Sequence, residues 1–177
     1  VVIAMASSGL HSNGYSLARY VLLEKAGLLL DAYVEDLDRT LGEELLEPTR
    51  IYAKDCLALA DECEVHTFCH VTGGGLAGNL ARVIPTGLVT ELSRGTWVPG
   101  PIFRLIQNVG KVPQAEMEKT FNMGVGMVAV VAPEDRDRAL AMLTARHIDA
   151  WELGTIRDAD DLQAPGAVVL TGDHPGY

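Results

Sequence analysis

Residues 6–17 of the chain read Ala6-Ser7-Ser8-Gly9-Leu10-His11-Ser12-Asn13-Gly14-Tyr15-Ser16-Leu17. The apolar segment before them, residues 1–5, predicts a short buried strand. The residues after them predict a helix that ends near Gly27, with a buried face formed by Leu17, Tyr20 and Val21, since these are spaced three and four apart. The stretch therefore predicts a strand, a polar loop and a helix N-terminus in immediate succession.

The loop in this stretch has the composition of an oxyanion site. Glycine and asparagine at positions 9, 13 and 14 tolerate positive φ, and the serines at 7, 8 and 12 are short hydrogen-bonding side chains. A strand, a loop and a helix N-terminus together direct free N–H groups to one spot, which suits a phosphate. The alternative is structural: Asn13-Gly14 makes a turn, and Ser12 or Asn13 caps the helix. The local sequence leaves both interpretations open.

Two further glycine loops lie at predicted strand–helix junctions. His70-Val71-Thr72-Gly73-Gly74-Gly75-Leu76 follows an apolar segment and opens a predicted helix over residues 76–83. Phe121-Asn122-Met123-Gly124-Val125-Gly126-Met127 leads from a helix into a predicted strand over residues 127–131. Three consecutive glycines leave no side chain between a ligand and the backbone. Three such loops, each with a polar residue beside its glycines, favour ligand binding over a purely structural role.

In order and spacing, these segments resemble the C-terminal domain of aminoimidazole ribonucleotide synthetase, also called phosphoribosylformylglycinamidine cyclo-ligase. The resemblance rests on residues 7–14, Leu46-Glu47-Pro48-Thr49-Arg50-Ile51-Tyr52, residues 70–75 and residues 121–124, and it weakens after about Ile156. It implies that formylglycinamidine ribonucleotide and ATP are the reaction partners. In that reaction ATP phosphorylates an amide oxygen, an amidine nitrogen attacks, phosphate leaves and an imidazole ring closes.

The resemblance also implies which residues form the site. His11 and His70 are the candidate catalytic residues, because imidazole can transfer protons or contact phosphate; the alternative is that each orders its loop by hydrogen bonding. The candidate substrate- and phosphate-binding residues are Ser8, Gly9, Ser12, Asn13, Gly14, Thr72, Gly73, Gly74, Gly75, Asn122 and Gly124. We interpret Asn79 as a surface helix residue. Trp97 is interpreted as a cover for the core that could border a nucleotide.

A domain organisation follows from the same resemblance. Residues 1–177 would be a single domain, the C-terminal, substrate-side half of the enzyme. An N-terminal ATP-binding domain, absent from this chain, would hold most of the ATP and Mg²⁺ and form the homodimer contact. The chain starts inside a predicted strand without an initiator Met, which we interpret as the mark of an excised domain. The alternative is a free-standing binding or regulatory module that senses a phosphorylated metabolite through the same loops.

Composition limits the partners and the compartment. A hydrophobic content of 48% and a charged content of 21% are ordinary for a globular domain. The net charge of −10 argues against nonspecific nucleic-acid binding. No apolar run approaches the roughly 20 residues that cross a bilayer, and no signal peptide is visible, so we expect no membrane partner and a cytoplasmic location. The odd number of cysteines, without a CxxC pair, indicates a reducing compartment.

One group of residues has the composition of a zinc site. Cys63, His66, Cys69 and His70 have zinc-ligand side chains in a short span. If residues 65–71 form a strand, however, alternation places both histidines on one face and Cys69 on the other, so the four cannot converge. We therefore expect no metal site in this chain and interpret Cys69 as a small core residue.

The remaining pattern predicts an α+β fold, a mixed β-sheet with packed helices in α/β/α layers that is partly ferredoxin-like. Thr40-Leu41-Gly42-Glu43 is a capping box for a short helix that stops before Pro48. Residues 50–54 are predicted to be extended, with Asp55 capping a helix over residues 56–62. Further strands are predicted at 87–93, 150–156 and 167–170, and further helices at 101–109, 114–121 and 133–146. Residues 127–156 form a βαβ-type unit, and residues 158–161, 165 and 166 a loop.

Overall fold

The computed structural model describes residues 1–159 and 166–177. In chain order the strands are β1 (Val2–Ala6), β2 (Tyr33–Val34), β3 (Arg39–Thr40), β4 (Val65–His70), β5 (Leu88–Ser93), β6 (Val125–Val131), β7 (Ala150–Asp158) and β8 (Ala167–Thr171). The α-helices are α1 (Tyr15–Arg19), α2 (Leu41–Leu45), α3 (Ala53–Glu62), α4 (Gly75–Leu80), α5 (Pro101–Gly110), α6 (Gln114–Thr120) and α7 (Arg136–Ala145). A π-helical segment, Tyr20–Lys25, continues α1, and 3₁₀ turns occupy Glu35–Leu37, Arg94–Thr96 and Pro133–Asp135.

The described residues form a six-stranded mixed sheet in the order β4-β6-β1-β7-β5-β8, and β2 and β3 pair separately. Every pairing in the large sheet is antiparallel except that of β5 with β8. The sub-order β4-β6-β1-β7, with α3 between β1 and β4 and α7 between β6 and β7, is that of a ferredoxin-like βαββαβ unit. The predicted α+β class is confirmed. The predicted βαβ unit is present in split form, because β1 lies between β6 and β7.

Alternation along β1 divides the core between two faces of the sheet. Ile3 and Met5 pack with buried residues of α3 and α7, whereas Val2 and Ala4 pack with buried residues of α4. Because successive side chains of a strand point to opposite faces, four consecutive apolar residues serve both layers. A further buried cluster joins α1, α5 and α6 at the end of the sheet. This arrangement gives the α/β/α layering, and it places the turns after β1 and β4 and before β6 at one edge.

The prediction that Tyr20 lies on the buried face of the first helix is wrong. Tyr20 is 54% exposed, and the buried residues of the helical segment are Ala18, Val21 and Leu22. The α-helical pattern changes to a π-helical one at Tyr20. A π-helix has more residues per turn than an α-helix, so spacings counted from Leu17 no longer identify the buried face.

Asp55 does not cap α3 as predicted, because the helix already begins at Ala53. Its carboxylate instead lies in the first turn and accepts a hydrogen bond from Nε of Arg146 at 2.6 Å. Residues 50–52 precede the helix without regular structure, so the predicted extended segment is also too long. The acidic side chain favours a helix N-terminus in either position, and the choice between them is made by the tertiary ion pair with Arg146.

Several local predictions are confirmed. The capping box at Thr40 and Glu43 forms in full, Pro101 is the first residue of α5, and β8 begins at Ala167. On α5 the buried residues are Ile102, Phe103 and Ile106, and Leu105 is only half-buried. Most of the predicted loop at residues 158–166 lies outside the described residues. No helix within the described ranges is long and apolar enough to cross a membrane.

The three cysteines are free thiols, and Cys69 is buried in the sheet as predicted. Burial raises the pKa of its thiol to about 11, as expected for an inert core cysteine. His66 and His70 are exposed, and a register shift between Val65 and Thr67 interrupts the alternation that was used to place both histidines on one face. Across residues 1–159 and 166–177, no His, Cys, Asp or Glu side chains are grouped so that they could hold a metal ion.

Candidate functional site

Three loops meet at one edge of the sheet. Loop 1 (residues 7–14) follows β1, loop 2 (residues 71–75) follows β4, and loop 3 (residues 121–124) precedes β6. Because β1 and β4 both run antiparallel to β6, the ends of the first two strands and the start of the third lie together. All of the candidate site residues predicted from the sequence lie in these loops or, for His70, at the end of β4. The sheet therefore brings them to one region of the surface.

Asn122 connects loop 3 to loop 1. Its fully buried side chain accepts hydrogen bonds from Ser7 Oγ at 3.1 Å and from the Gly124 N–H at 2.8 Å, and its Nδ2 donates to the Gly9 carbonyl at 2.9 Å. The Ser7 N–H in turn donates to the Gly124 carbonyl at 2.9 Å. Both ends of the Asn122 amide are thus used inside the protein. Its observed contacts are those of a brace between two loops.

Asn13 connects loop 1 to loop 2. Its Oδ1 accepts a hydrogen bond from the Gly73 N–H at 3.1 Å. The other two glycine N–H groups of loop 2 also have partners inside the chain, because Gly74 donates to the Lys119 carbonyl and Gly75 to the Thr72 carbonyl. Neither Ser12 nor Asn13 caps α1; Gly14, with φ 73°, occupies the N-cap position. The interpretation that Ser12 or Asn13 caps the helix is therefore wrong. Gly14 does adopt the positive φ that a turn at this point requires.

Asn79 is not the surface residue predicted from the sequence. It is 5% exposed, and its Nδ2 donates to the carbonyls of Gly75 at 2.7 Å and Thr72 at 3.1 Å. Its Oδ1 accepts from Thr72 Oγ1 at 3.0 Å. The amide holds loop 2 from inside, one helical turn after the glycines. Sequence spacing indicated a helix but not which neighbour would cover this face, so the burial could not be foreseen.

The aromatic rings of His11, Tyr52 and His70 form a cluster between loop 1 and β4. Their centroids lie 6.2 to 6.5 Å apart in each of the three pairs. The Tyr52 hydroxyl donates to the Ala6 carbonyl at 2.7 Å. The cluster packs over Gly126, where an added Cβ would lie 1.9 Å from Tyr52 Oη and 2.7 Å from His11 Cε1. A glycine inside a strand pattern signals this kind of close approach, so Gly126 is the residue from which this cluster could have been predicted.

His11 itself is almost fully buried, at 3% exposure, and adopts φ 55°, which is rare for a residue other than glycine. Its Nε2 accepts a hydrogen bond from the Ser8 N–H at 3.1 Å, so the proton of the neutral ring is on Nδ1. That Nδ1 is buried and has no hydrogen-bond partner among the described residues. Burial, helped by the positive charges of His70 and Arg50, lowers the pKa of His11 to about 4. At neutral pH His11 is therefore an uncharged hydrogen-bond donor.

The low pKa of His11 predicts a pH-dependent stability. The unfolded chain binds the proton near pH 6.5 and the folded chain only near pH 4, so the stability is complete above pH 6.5 and falls as the pH drops toward 4. A shift of this size corresponds to at most about 3 kcal/mol. In urea titrations between pH 7 and 4.5, His11→Asn should flatten the pH dependence, whereas His66→Asn, at an exposed position, should not. Equal slopes in the two variants would contradict this assignment.

A cleft of about 390 Å³ opens on the other side of loop 1. Ser8, Gly9 and Gly124 line it together with Trp97 and Trp151, whose rings lie 6.3 Å apart. Trp97 is 7% exposed and its Nε1 donates to the Met123 carbonyl at 2.9 Å, which confirms it as a cover of the core. Ser8, Gly9 and Gly124 thus line this cleft, whereas His11 and His70 belong to the aromatic cluster.

Comparison with known proteins agrees with this geometry. The family model for the AIR synthase related protein, C-terminal domain, matches residues 1–165. A Streptomyces fradiae protein, provisionally named a phosphoribosylformylglycinamidine cyclo-ligase, is 60% identical over 98% of this chain and 96% of its own length. A phosphoribosylformylglycinamidine cyclo-ligase from an Anaeromyxobacter species is 54% identical over 88% of the chain and 45% of its own length. The chain therefore spans nearly all of the first relative and about half of the second.

Among solved structures, a thiamine-monophosphate kinase from Stenotrophomonas maltophilia superposes with a TM-score of 0.61 at 15% identity, over 97% of this chain and 50% of that one. This likeness shows the fold alone. The fold is that of an α+β domain whose mixed six-stranded sheet gathers three loops at one edge. From the sequence matches, the chain belongs to the family of AIR synthase related proteins, as a C-terminal domain.

Proposed function

We propose that this chain is the substrate-side half of a cyclo-ligase that converts formylglycinamidine ribonucleotide to aminoimidazole ribonucleotide with ATP, in purine biosynthesis. The observation that carries the proposal is the junction of the three loops, where Asn122 joins loops 1 and 3 and Asn13 joins loops 1 and 2. The names of its relatives support the reaction. On this proposal the enzyme is cytoplasmic and dimeric when complete, and its partners are the ribonucleotide, ATP and the N-terminal domain.

The residues of this chain would act by positioning and by proton transfer. His70, exposed at the end of β4 beside His11, would take the proton that the attacking amidine nitrogen loses. Neutral His11 would donate a hydrogen bond from Nδ1 to an oxygen that carries negative charge. Loop 2, at Gly73, offers an open backbone: no other atom lies within 4 Å of a Cβ placed there. ATP would activate the amide oxygen by phosphorylating it.

The described residues do not fit a magnesium site, since none of their acidic side chains forms a suitable group. We therefore assign Mg²⁺ and most of the ATP contacts to the N-terminal domain. The candidate substrate contacts of this chain remain Ser8, Gly9, Ser12, Gly14, Thr72, the glycines of loop 2, and Gly124. We propose that Asn13 and Asn122 hold these loops in position.

A turnover assay tests whether this chain needs the N-terminal domain for activity. The purified chain is expected to fold but to form no aminoimidazole ribonucleotide from the ribonucleotide and ATP, because curated relatives such as the Anaeromyxobacter enzyme are about twice as long. Adding the N-terminal half of that relative, by fusion or in trans, should restore activity. Turnover by the chain alone would contradict the proposal. Binding of a phosphorylated metabolite without any turnover in the fused protein would favour the alternative of a free-standing sensory module.

A further inference from the structure

The 172–177 segment follows β8 and lies beyond the part of the chain that the family model matches. Its backbone forms bends and turns, yet His174 within it is only 5% exposed. Irregular segments usually run over the surface, and histidine is of intermediate burial in most proteins. The burial of this side chain indicates that the segment has a fixed place in the fold.

Arg94 ties the 172–177 segment to α6. Its guanidinium donates to the carbonyls of Leu170 at 2.9 Å and Gly172 at 3.2 Å. It also donates to both carboxylate oxygens of Glu118 on α6, at 2.7 and 2.9 Å. Both side chains of this bidentate ion pair are only 18% exposed, so salt screens it less than a pair at the surface. Because α6 leads directly into loop 3, the ion pair fixes the approach to that loop.

His174 holds the indole ring of Trp97. The imidazole stands edge-on to the indole with centroids 4.4 Å apart, and the Tyr177 ring lies 5.5 Å from the imidazole. His174 Nδ1 lies 3.2 Å from the Arg94 carbonyl and 3.4 Å from the Trp97 carbonyl. Since both of these groups are acceptors, Nδ1 carries the proton and donates it. Burial lowers the pKa of His174, so the ring is neutral at pH 7.

Trp97 in turn contacts loop 3 at two residues. Its Nε1 donates to the Met123 carbonyl at 2.9 Å, and a Cβ added at Gly124 would lie 3.7 Å from its ring. Met123 has φ 50°, a left-handed conformation that is rare outside glycine and persists only where the surroundings impose it. Trp97 and Gly124 also line the cleft of about 390 Å³. A restraint on the indole is therefore a restraint on loop 3 and on one wall of the cleft.

We propose that His174 is a positioning residue for loop 3, because its ring keeps the Trp97 indole where it holds the Met123 carbonyl. The 172–177 segment is thereby part of the support of the candidate site. A cavity of about 30 Å³ is already lined by these three side chains, so removing the imidazole would give the indole room to tilt. The inference rests on the proposed function only for the identity of the ligand that loop 3 meets.

Hydrogen exchange of the purified chain tests the proposal without any ligand. The reporters are the Trp97 indole N–H, which donates to Met123, and the Gly124 N–H, which donates to Asn122. In His174→Ala we expect exchange at both reporters to accelerate about tenfold more than exchange at the amides of β1. Such a selective change reports loosening of loop 3, since a general loss of stability accelerates exchange in the sheet as well.

Two further variants separate positioning from stability. His174→Phe keeps a ring against Trp97 but leaves two buried carbonyls without their donor, so it should lower the Tm while exchange at loop 3 stays slow relative to β1. Ile148→Ala removes a buried side chain from the cluster on the other face of the sheet, and it should lower the Tm without a selective change at loop 3. Equal acceleration at loop 3 and β1 in His174→Ala would overturn the proposal. So would selective loss of protection at loop 3 in His174→Phe, in which the ring is retained.

Kinetics of the complete enzyme tests whether this positioning matters for the proposed reaction. At a temperature where every variant is folded, His174→Ala should lower kcat/KM for the ribonucleotide about tenfold. Ile148→Ala should leave it unchanged, and His174→Phe should recover most of the loss. Unchanged kcat/KM in His174→Ala would overturn the role of His174 in the site. Absence of turnover in the complete wild-type enzyme would reject only the proposed reaction, because the exchange measurement does not depend on it.

Discussion

Gly75→Ala is expected to lower the free energy of unfolding by about 3 kcal/mol or more. Gly75 has φ 70°, where a Cβ is strained, and the added carbon would lie 1.7 Å from the Glu118 carbonyl oxygen. That oxygen belongs to the backbone of α6, so relief requires α4 to move away from α6. Urea unfolding of the purified chain measures the loss.

Gly73→Ala, two residues earlier, is the matched control for folding. No other atom lies within 4 Å of a Cβ at this position, and its φ is not in the left-handed region. We expect its stability to change by less than about 0.5 kcal/mol, while the KM for the ribonucleotide in the complete enzyme rises because a methyl group stands between ligand and backbone. Unchanged kinetics in Gly73→Ala would mean that loop 2 keeps its glycines for packing only.

A substitution at Gly74 is a weaker test of ligand binding, because it would both strain the backbone and obstruct a ligand. Its φ of 106° strains any side chain, although the nearest atoms to an added Cβ are the ends of the Arg82 and Asn79 side chains at 3.4 and 3.6 Å. Gly74→Val would therefore lower stability as well as obstruct a ligand. The three glycines of the motif thus differ in role: one is required by a backbone contact, one by its own conformation, and one by neither.

Asn122→Leu, a change that conserves size, is expected to cost about 3 kcal/mol or more of stability. It leaves the Gly9 carbonyl, the Gly124 N–H and Ser7 Oγ, all on half-buried residues, without the partner that the fully buried Asn122 side chain provides. Asn13→Ala is the control, since it removes one hydrogen bond at a partly exposed position and should cost about 1 kcal/mol. Chemical unfolding monitored by circular dichroism compares the two. Equal losses would contradict the role of Asn122 as the brace of loops 1 and 3.

The sequence was informative where local chemistry decides the structure. The capping box at Thr40, the strand at residues 127–131 and the glycine loops depend on neighbours in the chain, and all are present. Tyr20, Asp55 and Asn79 were misplaced because a π-helical register, an ion pair with Arg146 and the fold of loop 2 decide their surroundings. These are contacts or registers that no short window of sequence specifies.

The same distinction holds for the site. Residue types and spacing indicated three ligand-binding loops at strand–helix junctions, whereas their meeting at one edge follows from the pairing of β1 and β4 with β6. The sequence pattern did not indicate that the Asn122 amide would hydrogen-bond inside the protein and connect two loops. It also did not indicate that Arg50 and His11 would each keep a buried donor without a partner among the described residues. Those facts depend on which side chain reaches which backbone group across the sheet edge. They are properties of the folded chain.

An amide NMR titration of the isotope-labelled chain with formylglycinamidine ribonucleotide shows whether the junction of the three loops binds the ribonucleotide. We expect saturable shifts concentrated in residues 7–14, 71–75 and 121–124. Shifts confined to residues remote from these loops, or no shifts at concentrations that saturate the complete enzyme, would contradict this expectation.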